Sequence, residues 1–104
     1  MAAAAPAFEV LAEPTRRRIL DLLRDDERSV GDLVERLPLS QPGVSRHLKI
    51  LRDAGLVNVR ADAQRRLYAV NPKPLAEIDA WLAPYRRFWN AKLDALERVL
   101  DEED

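Results

Sequence analysis

Between Ser29 and Gly55 the chain carries two helices whose starts and stops are both written in the residues, with only a short turn between them. Ser29 is a good N-cap, and Asp32 three residues on makes a variant capping box ahead of Leu33, Val34 and Leu37. Pro38 then stops that helix. Ser40 caps a second helix expected over 41–54, and Gly55 is placed to close it in a left-handed conformation. Two short helices joined by Pro38-Leu39-Ser40 have the spacing of a helix-turn-helix. After Gly55 the pattern switches to alternation, with Val57 and Val59 on one face and Asn58 and Arg60 on the other. Asp62-Ala63-Gln64 is a polar break, and Arg65 to Val70 returns as a second strand. A hairpin therefore follows the second helix directly.

The flanks read as helix. Apolar residues from Phe8 to Ala12 suggest a short one, and Pro14 suits the first turn of another running to about Asp25, with Ile19, Leu20, Leu22 and Leu23 at helical spacing. Arg16, Arg17 and Arg18 sit where the helix dipole disfavours cations, so they serve an intramolecular pair, a phosphate or a solvated face. Asn71-Pro72-Lys73-Pro74 ends the hairpin and opens a helical region over 75–101. Pro84 implies either a kink or two consecutive helices there. With 104 residues the chain is expected to form a single domain over 1–104, with residues 1–6 disordered. Its class is mainly α with a two-stranded β-wing, a winged helix-turn-helix.

Projection of the second helix at 100° per residue puts Val44, Leu48 and Leu51 on one face and Pro42, Ser45, Arg46 and Lys49 opposite. Short polar groups near the N-terminus followed by long cations suit the major groove, where base edges lie between phosphates. Gln41, Ser45 and Arg46 are the base-edge candidates, and Lys49 and Arg52 the phosphate candidates. Arg60, Arg65 and Arg66 on the hairpin are set to reach phosphates or the adjacent minor groove. Gly43 costs roughly 1 kcal/mol of helix propensity relative to alanine, which either lets the backbone approach DNA or has no function. His47, between the packed and exposed faces, reads as a packing or phosphate-contacting residue. The whole chain carries a net charge of −1, yet Arg46, Lys49, Arg52, Arg60, Arg65 and Arg66 face only Asp53 and Asp62 between Ser40 and Arg66. A local basic surface governs DNA binding more than the overall balance does.

The stretches Leu11-Ala12-Glu13-Pro14-Thr15-Arg16-Arg17-Arg18-Ile19-Leu20-Asp21-Leu22-Leu23 and Leu39-Ser40-Gln41-Pro42-Gly43-Val44-Ser45-Arg46-His47-Leu48-Lys49-Ile50-Leu51-Arg52-Asp53-Ala54-Gly55-Leu56-Val57 resemble the ArsR family of bacterial winged-helix repressors. The resemblance implies a homodimer built from the first and last helices, offering two recognition helices to a palindromic operator in double-stranded DNA. The candidate DNA-interface residues are Ser40, Gln41, Pro42, Gly43, Ser45, Arg46, His47, Lys49, Arg52, Arg60, Arg65 and Arg66, with the wing at 56–70. Metal-sensing members carry a cysteine pair where this chain has Ser29-Val30-Gly31-Asp32-Leu33, or histidines on the last helix. Here there is no cysteine, and the last helix offers Glu77, Asp79, Asp94 and Glu97 without histidine. No zinc or arsenic site, and no cofactor, is expected. Trp81 to Glu97 is similar to a metal-free branch of the family.

Tyr85, Trp89, Leu93, Leu96 and Leu100 recur at spacings of four, four, three and four, a stripe that calls for a partner surface. Phe8, Leu11, Trp81, Leu82, Tyr85, Phe88, Trp89, Leu93, Leu96 and Leu100 are accordingly the candidate dimer contacts. With three glycines, one histidine and no cysteine, neither a nucleophile and base, a metal cluster nor a phosphate-cradling loop assembles, so an enzyme is not expected. A cytoplasmic, nucleoid-associated protein without a membrane segment is expected. The rival readings are a winged-helix protein-interaction module or antitoxin, and an activator or nucleoid-type binder without operator specificity. The small-molecule effector is unknown.

Overall fold

The caps anticipated from the sequence form, and they fix where each helix begins. A computed structural model describes residues 5–102, in the order α1 (Ala5–Leu11), α2 (Pro14–Asp25), α3 (Val30–Arg36), α4 (Gln41–Asp53), β1 (Val57–Asp62), β2 (Arg65–Val70) and α5 (Pro72–Glu102). Ser29 Oγ accepts from the backbone N–H of Asp32 at 3.2 Å, and Ser40 Oγ from that of Gly43 at 3.3 Å. Pro14 and Pro42 occupy first-turn positions, where a missing N–H goes unnoticed. At the end of α4, Gly55 adopts φ +77°. Its N–H reaches the carbonyl of Arg52 and that of Leu56 the carbonyl of Leu51, both at 2.9 Å, the paired bonds of a Schellman motif. Leu51 and Leu56 are both fully buried, which supplies the apolar contact that accompanies this cap.

The core gathers where the stripes of α2, α3 and α4 meet the hairpin. Ile19, Leu20 and Leu23 come from α2, Leu33 from α3, and Val44, Leu48 and Leu51 from α4, with Leu37, Leu56, Val57 and Leu67 closing the edges and Ala7 the α1 side. No charged or polar residue is buried among the described residues. The fold is held by apolar packing, with polar groups kept at the rim.

The hairpin is antiparallel in the register Val57↔Val70 to Asp62↔Arg65, so only Ala63 and Gln64 lie in the turn and Asp62 belongs to β1. Ala63 has φ +56°, a conformation costly for a side-chain-bearing residue. Burial alternates from Val57 to Arg60 and then lapses as the ribbon leaves the body. Two ties anchor its base. Arg28 and Tyr68 exchange backbone hydrogen bonds of 3.0 and 2.8 Å, making the α2–α3 loop a one-residue third strand. Asn71 gives its backbone N–H to Leu56 at 2.9 Å and its Nδ2 to the Gly55 carbonyl at 2.8 Å.

Several boundaries differ from the sequence reading. α1 begins at Ala5 rather than Phe8, so Ala5 and Pro6 are helical, and the rest of the segment expected to be disordered, residues 1–4, lies outside the described residues. α5 begins at Pro72, ahead of Leu75, because Asn71 Oδ1 accepts from the Lys73 N–H at 3.3 Å and both prolines fall in the first turn. Pro84 does not split the region; it lies inside one helix. The carbonyl it leaves without a donor belongs to Ala80, an exposed residue, so water can satisfy it.

α5 is about 46 Å long at 1.5 Å per residue. The radius of gyration is 18.3 Å, against about 13 Å for a compact domain of this length. The excess comes from α5, which contributes no buried residue. Ile78 rests on the core and Trp81 meets Phe8 of α1 edge-on at 5.6 Å, with the Tyr85 ring tilted against Trp81 at 5.0 Å. Further along, the stripe has nothing beneath it among the described residues.

Candidate nucleic-acid interface

Packing of Val44, Leu48 and Leu51 into the core turns the opposite side of α4 outward. Ser40, Gln41, Pro42, Ser45, Arg46, Lys49 and Arg52 are all exposed. Ser40 uses its oxygen as the cap acceptor, and Lys49 pairs with Asp53 at 2.8 Å along the helix. Such an exposed pair is weak and yields readily to a phosphate. Arg46 and Arg52 have no hydrogen-bond or ion-pair partner among the described residues. Gly43 is half-buried beside its cap, and a Cβ there would meet Ser40 Oγ at 3.4 Å and Leu39 Cβ at 4.0 Å. Packing within the chain thus tolerates a methyl group, so the fold by itself does not require glycine.

His47 turns toward α2 rather than outward. It is half-buried, and Arg16 Nη1 lies 3.4 Å from its Nδ1. Arginine has no acceptor, so this contact needs Nδ1 unprotonated. Two of the three arginines at the start of α2 also find their purpose. Arg16 Nε donates to the Val10 carbonyl at 2.8 Å, and Arg17 Nη1 to the carbonyls of Leu11 and Ala12 at 2.7 and 3.2 Å. They cap the C-terminus of α1, where cations and donors are favoured. Glu13 caps α2 by accepting from the Arg16 N–H at 3.2 Å. Partial burial pushes its carboxyl upward, but hydrogen bonds from the Thr15 and Arg16 backbone and the Thr15 hydroxyl outweigh this and hold it below the ordinary range.

The three wing arginines stand in different surroundings. Arg60 donates from Nε to Glu27 Oε2 at 3.0 Å and from Nη2 to Glu27 Oε1, a two-point fork. Arg65 lies 3.7 Å from Asp62 across the turn, in a loose and exposed pair. Arg66 has no such partner among the described residues. Arg52, Arg60 and Arg66 line one cleft of ≈ 230 Å³ with Val59 and Ala61. Of the expected interface residues, Arg52, Arg60 and Arg66 are thus brought to one cleft, while His47 is drawn into the α2–α4 seam and Arg60 is engaged by Glu27. Glu27 was missed because it stands 33 residues from Arg60 and nothing local marks the pair. The Glu13-Pro14 step, an acceptor before a first-turn proline, could have revealed the α2 cap.

The dimer candidates divide. Tyr85, Phe88, Trp89, Leu93, Leu96 and Leu100 are exposed along one arc of α5, and Phe8 and Trp81 join them, while Leu11 and Leu82 are half-buried. Among the described residues, no group of three or more histidine, cysteine or carboxylate side chains could hold a metal ion, and no helix is long and apolar enough to cross a membrane.

A family profile described as bacterial regulatory protein, arsR family, matches residues 13–59, from the α2 cap into β1. An HTH-type transcriptional regulator of Mycobacterium tuberculosis is 39% identical over 97 residues, covering 93% of this chain and 88% of its own. The transcriptional repressor SdpR of Bacillus subtilis is 35% identical over 75 residues, covering 72% and 83%. Among solved structures, an ArsR-like transcriptional regulator from Rhodococcus superposes with a TM-score of 0.74 at 28% identity, over 94% of this chain and 92% of that one.

Proposed function

The chain belongs to the arsR family of bacterial regulatory proteins and is a DNA-binding transcriptional regulator, and on that premise we propose that it acts as a homodimeric repressor reading a two-fold-symmetric operator. The observation that carries the reading is the outward face of α4. A capped helix presents Gln41, Ser45 and an exposed Arg46, with Lys49 and Arg52 behind them, while its inner face is locked in the core. In this reading Gln41, Ser45 and Arg46 address base edges in the major groove, with Pro42 and Gly43 letting the backbone close on the duplex. Lys49, Arg52, Arg65 and Arg66 hold phosphates on either side. Ser40 and His47 contribute by fixing the helix, through the cap and the contact with Arg16.

The exposed stripe of α5 supports the second half of the reading. Phe88, Leu93, Leu96 and Leu100 are each more than half exposed, and no element among the described residues covers them. A second copy supplies one, with Phe8, Leu11, Trp81, Leu82, Tyr85 and Trp89 extending the contact toward the body. The protein is then one DNA-binding unit, residues 72–102 serving dimerisation. It works in the cytoplasm on the nucleoid, and performs no catalysis.

Selection of genomic fragments bound by the purified protein tests this. Enriched fragments sharing an inverted repeat, with half-sites about one helical turn (~34 Å) apart or a multiple of it, are the expected result. Binding without a shared sequence would indicate a nucleoid-type protein. No enrichment even at low salt would point to a winged helix used on protein.

A further inference from the structure

Arg52, Arg60 and Arg66 line the same cleft between the last turn of α4 and the wing, yet among the described residues only Arg60 has a partner. Its partner stands on an anchored stretch of backbone. Glu27 precedes Arg28, whose backbone is hydrogen-bonded both ways to Tyr68 of β2. Arg28 is itself held by the Leu22 carbonyl at 3.0 Å and by Asp32 at 3.5 Å. The carboxylate thus meets the guanidinium preorganised, and a two-point charge-assisted fork is the strongest arrangement these groups can make.

We propose that Glu27 is a positioning residue that withholds Arg60 from the DNA backbone, leaving the cleft as a seat for a single phosphodiester between Arg52 and Arg66. The proposal rests on α4 and the wing being the DNA interface. A phosphate entering the cleft meets two guanidiniums without a carboxylate and a third already neutralised. To recruit that third it would have to displace a bound carboxylate, exchanging one anion for another with little gain. Three bare guanidiniums would instead raise affinity for every duplex alike, because phosphate contacts carry no sequence information. Glu27 therefore holds down the non-specific background against which an operator is chosen. The Arg60 hydrogen bond draws the Glu27 carboxyl below its ordinary range against a smaller upward push from burial, with the arginine charge adding to the pull. It stays ionised near neutrality, so the fork persists there.

The test is the salt dependence of binding to an unrelated duplex, measured for the full chain and its variants. Arg66→Gln should lower the slope by about 0.9, the loss of one phosphate contact, whereas Arg60→Gln should leave it unchanged. Glu27→Gln, which keeps shape but not charge, should steepen it by about 0.9 and tighten binding about fivefold near ~0.15 M salt. Adding Arg60→Gln to Glu27→Gln should restore the wild-type slope. The proposal is overturned if Arg60→Gln alone lowers the slope as Arg66→Gln does, or if Glu27→Gln lowers thermal stability and leaves the slope unmoved, the outcome of a merely bracing role. Carboxyl titration by NMR reports the fork without DNA: Arg60→Gln should return Glu27 toward the ordinary range. Wild-type protein with no salt-dependent binding would overturn the interface reading, and this proposal with it. Wild-type binding with the wrong slopes would overturn this proposal alone.

Discussion

Truncation of Leu96 separates a dimer held by α5 from a folded monomer that merely carries an exposed stripe. Leu93, Leu96 and Leu100 are 58%, 54% and 55% exposed in the single chain. Fully burying a leucine is worth about 1.5–3 kcal/mol, so covering the exposed half returns about 1 kcal/mol. In a two-fold dimer each substitution acts twice, so Leu96→Ala should cost about 2 kcal/mol, roughly 30-fold in the dimer dissociation constant. Leu96 is not part of the core, so the fold of each chain should survive. Arg87 projects from the opposite side of α5, and Arg87→Ala should change the constant less than about threefold. Sedimentation equilibrium over a dilution series measures both. Wild-type protein that sediments as a folded monomer at micromolar concentration, or two variants that weaken association equally, would refute the reasoning.

Two backbone positions should respond with opposite signs. Gly55→Ala forces a side chain into φ +77° with no neighbour within 4 Å to relieve or aggravate it, and should destabilise by about 1 kcal/mol. Ala63→Gly removes the penalty at φ +56° and should stabilise by about 0.5–1 kcal/mol; urea melts of the pair would expose the argument if both moved the same way. Glu13 and Glu27 have carboxyls below the ordinary range, so each adds stability at neutral pH that is lost as the pH falls below the unfolded-chain value and on through the folded one. Thermal melts against pH should show that acid loss, and Glu27→Gln should make it shallower. DNA affinity should be unchanged by chelators; loss of binding restored by zinc would reveal a metal site.

The parts of the fold legible in the sequence are those fixed by near neighbours. Ser29, Ser40 and Gly55 act on backbone groups within a few positions, so their types alone announce where α3 and α4 start and where α4 ends. The stripe Val44, Leu48 and Leu51 likewise declares which face of α4 is inward. What stayed hidden depends on groups far apart in the chain. Arg28 with Tyr68, Arg60 with Glu27 and Arg16 with His47 become neighbours only after the elements pack. This is why the sequence left His47 open between a packing and a phosphate-contacting role, and why Arg60 was treated as a free cation. The start of α5 was missed for another reason: Asn71-Pro72-Lys73-Pro74 reads equally as a terminator, and only the Asn71 cap shows it to be the helix's first turn.

The most direct test of α4 as the reading element is the affinity of Arg46→Ala for a selected operator and for scrambled DNA across a salt series. Arg46 is exposed and touches nothing in the core, so the variant should remain a folded dimer. If Arg46 contacts a base edge, operator binding should weaken by about 1–3 kcal/mol, preference at particular operator positions should relax, and binding to scrambled DNA should change far less. Unchanged affinity for both, in a variant that is still a folded dimer, would mean that α4 does not read DNA.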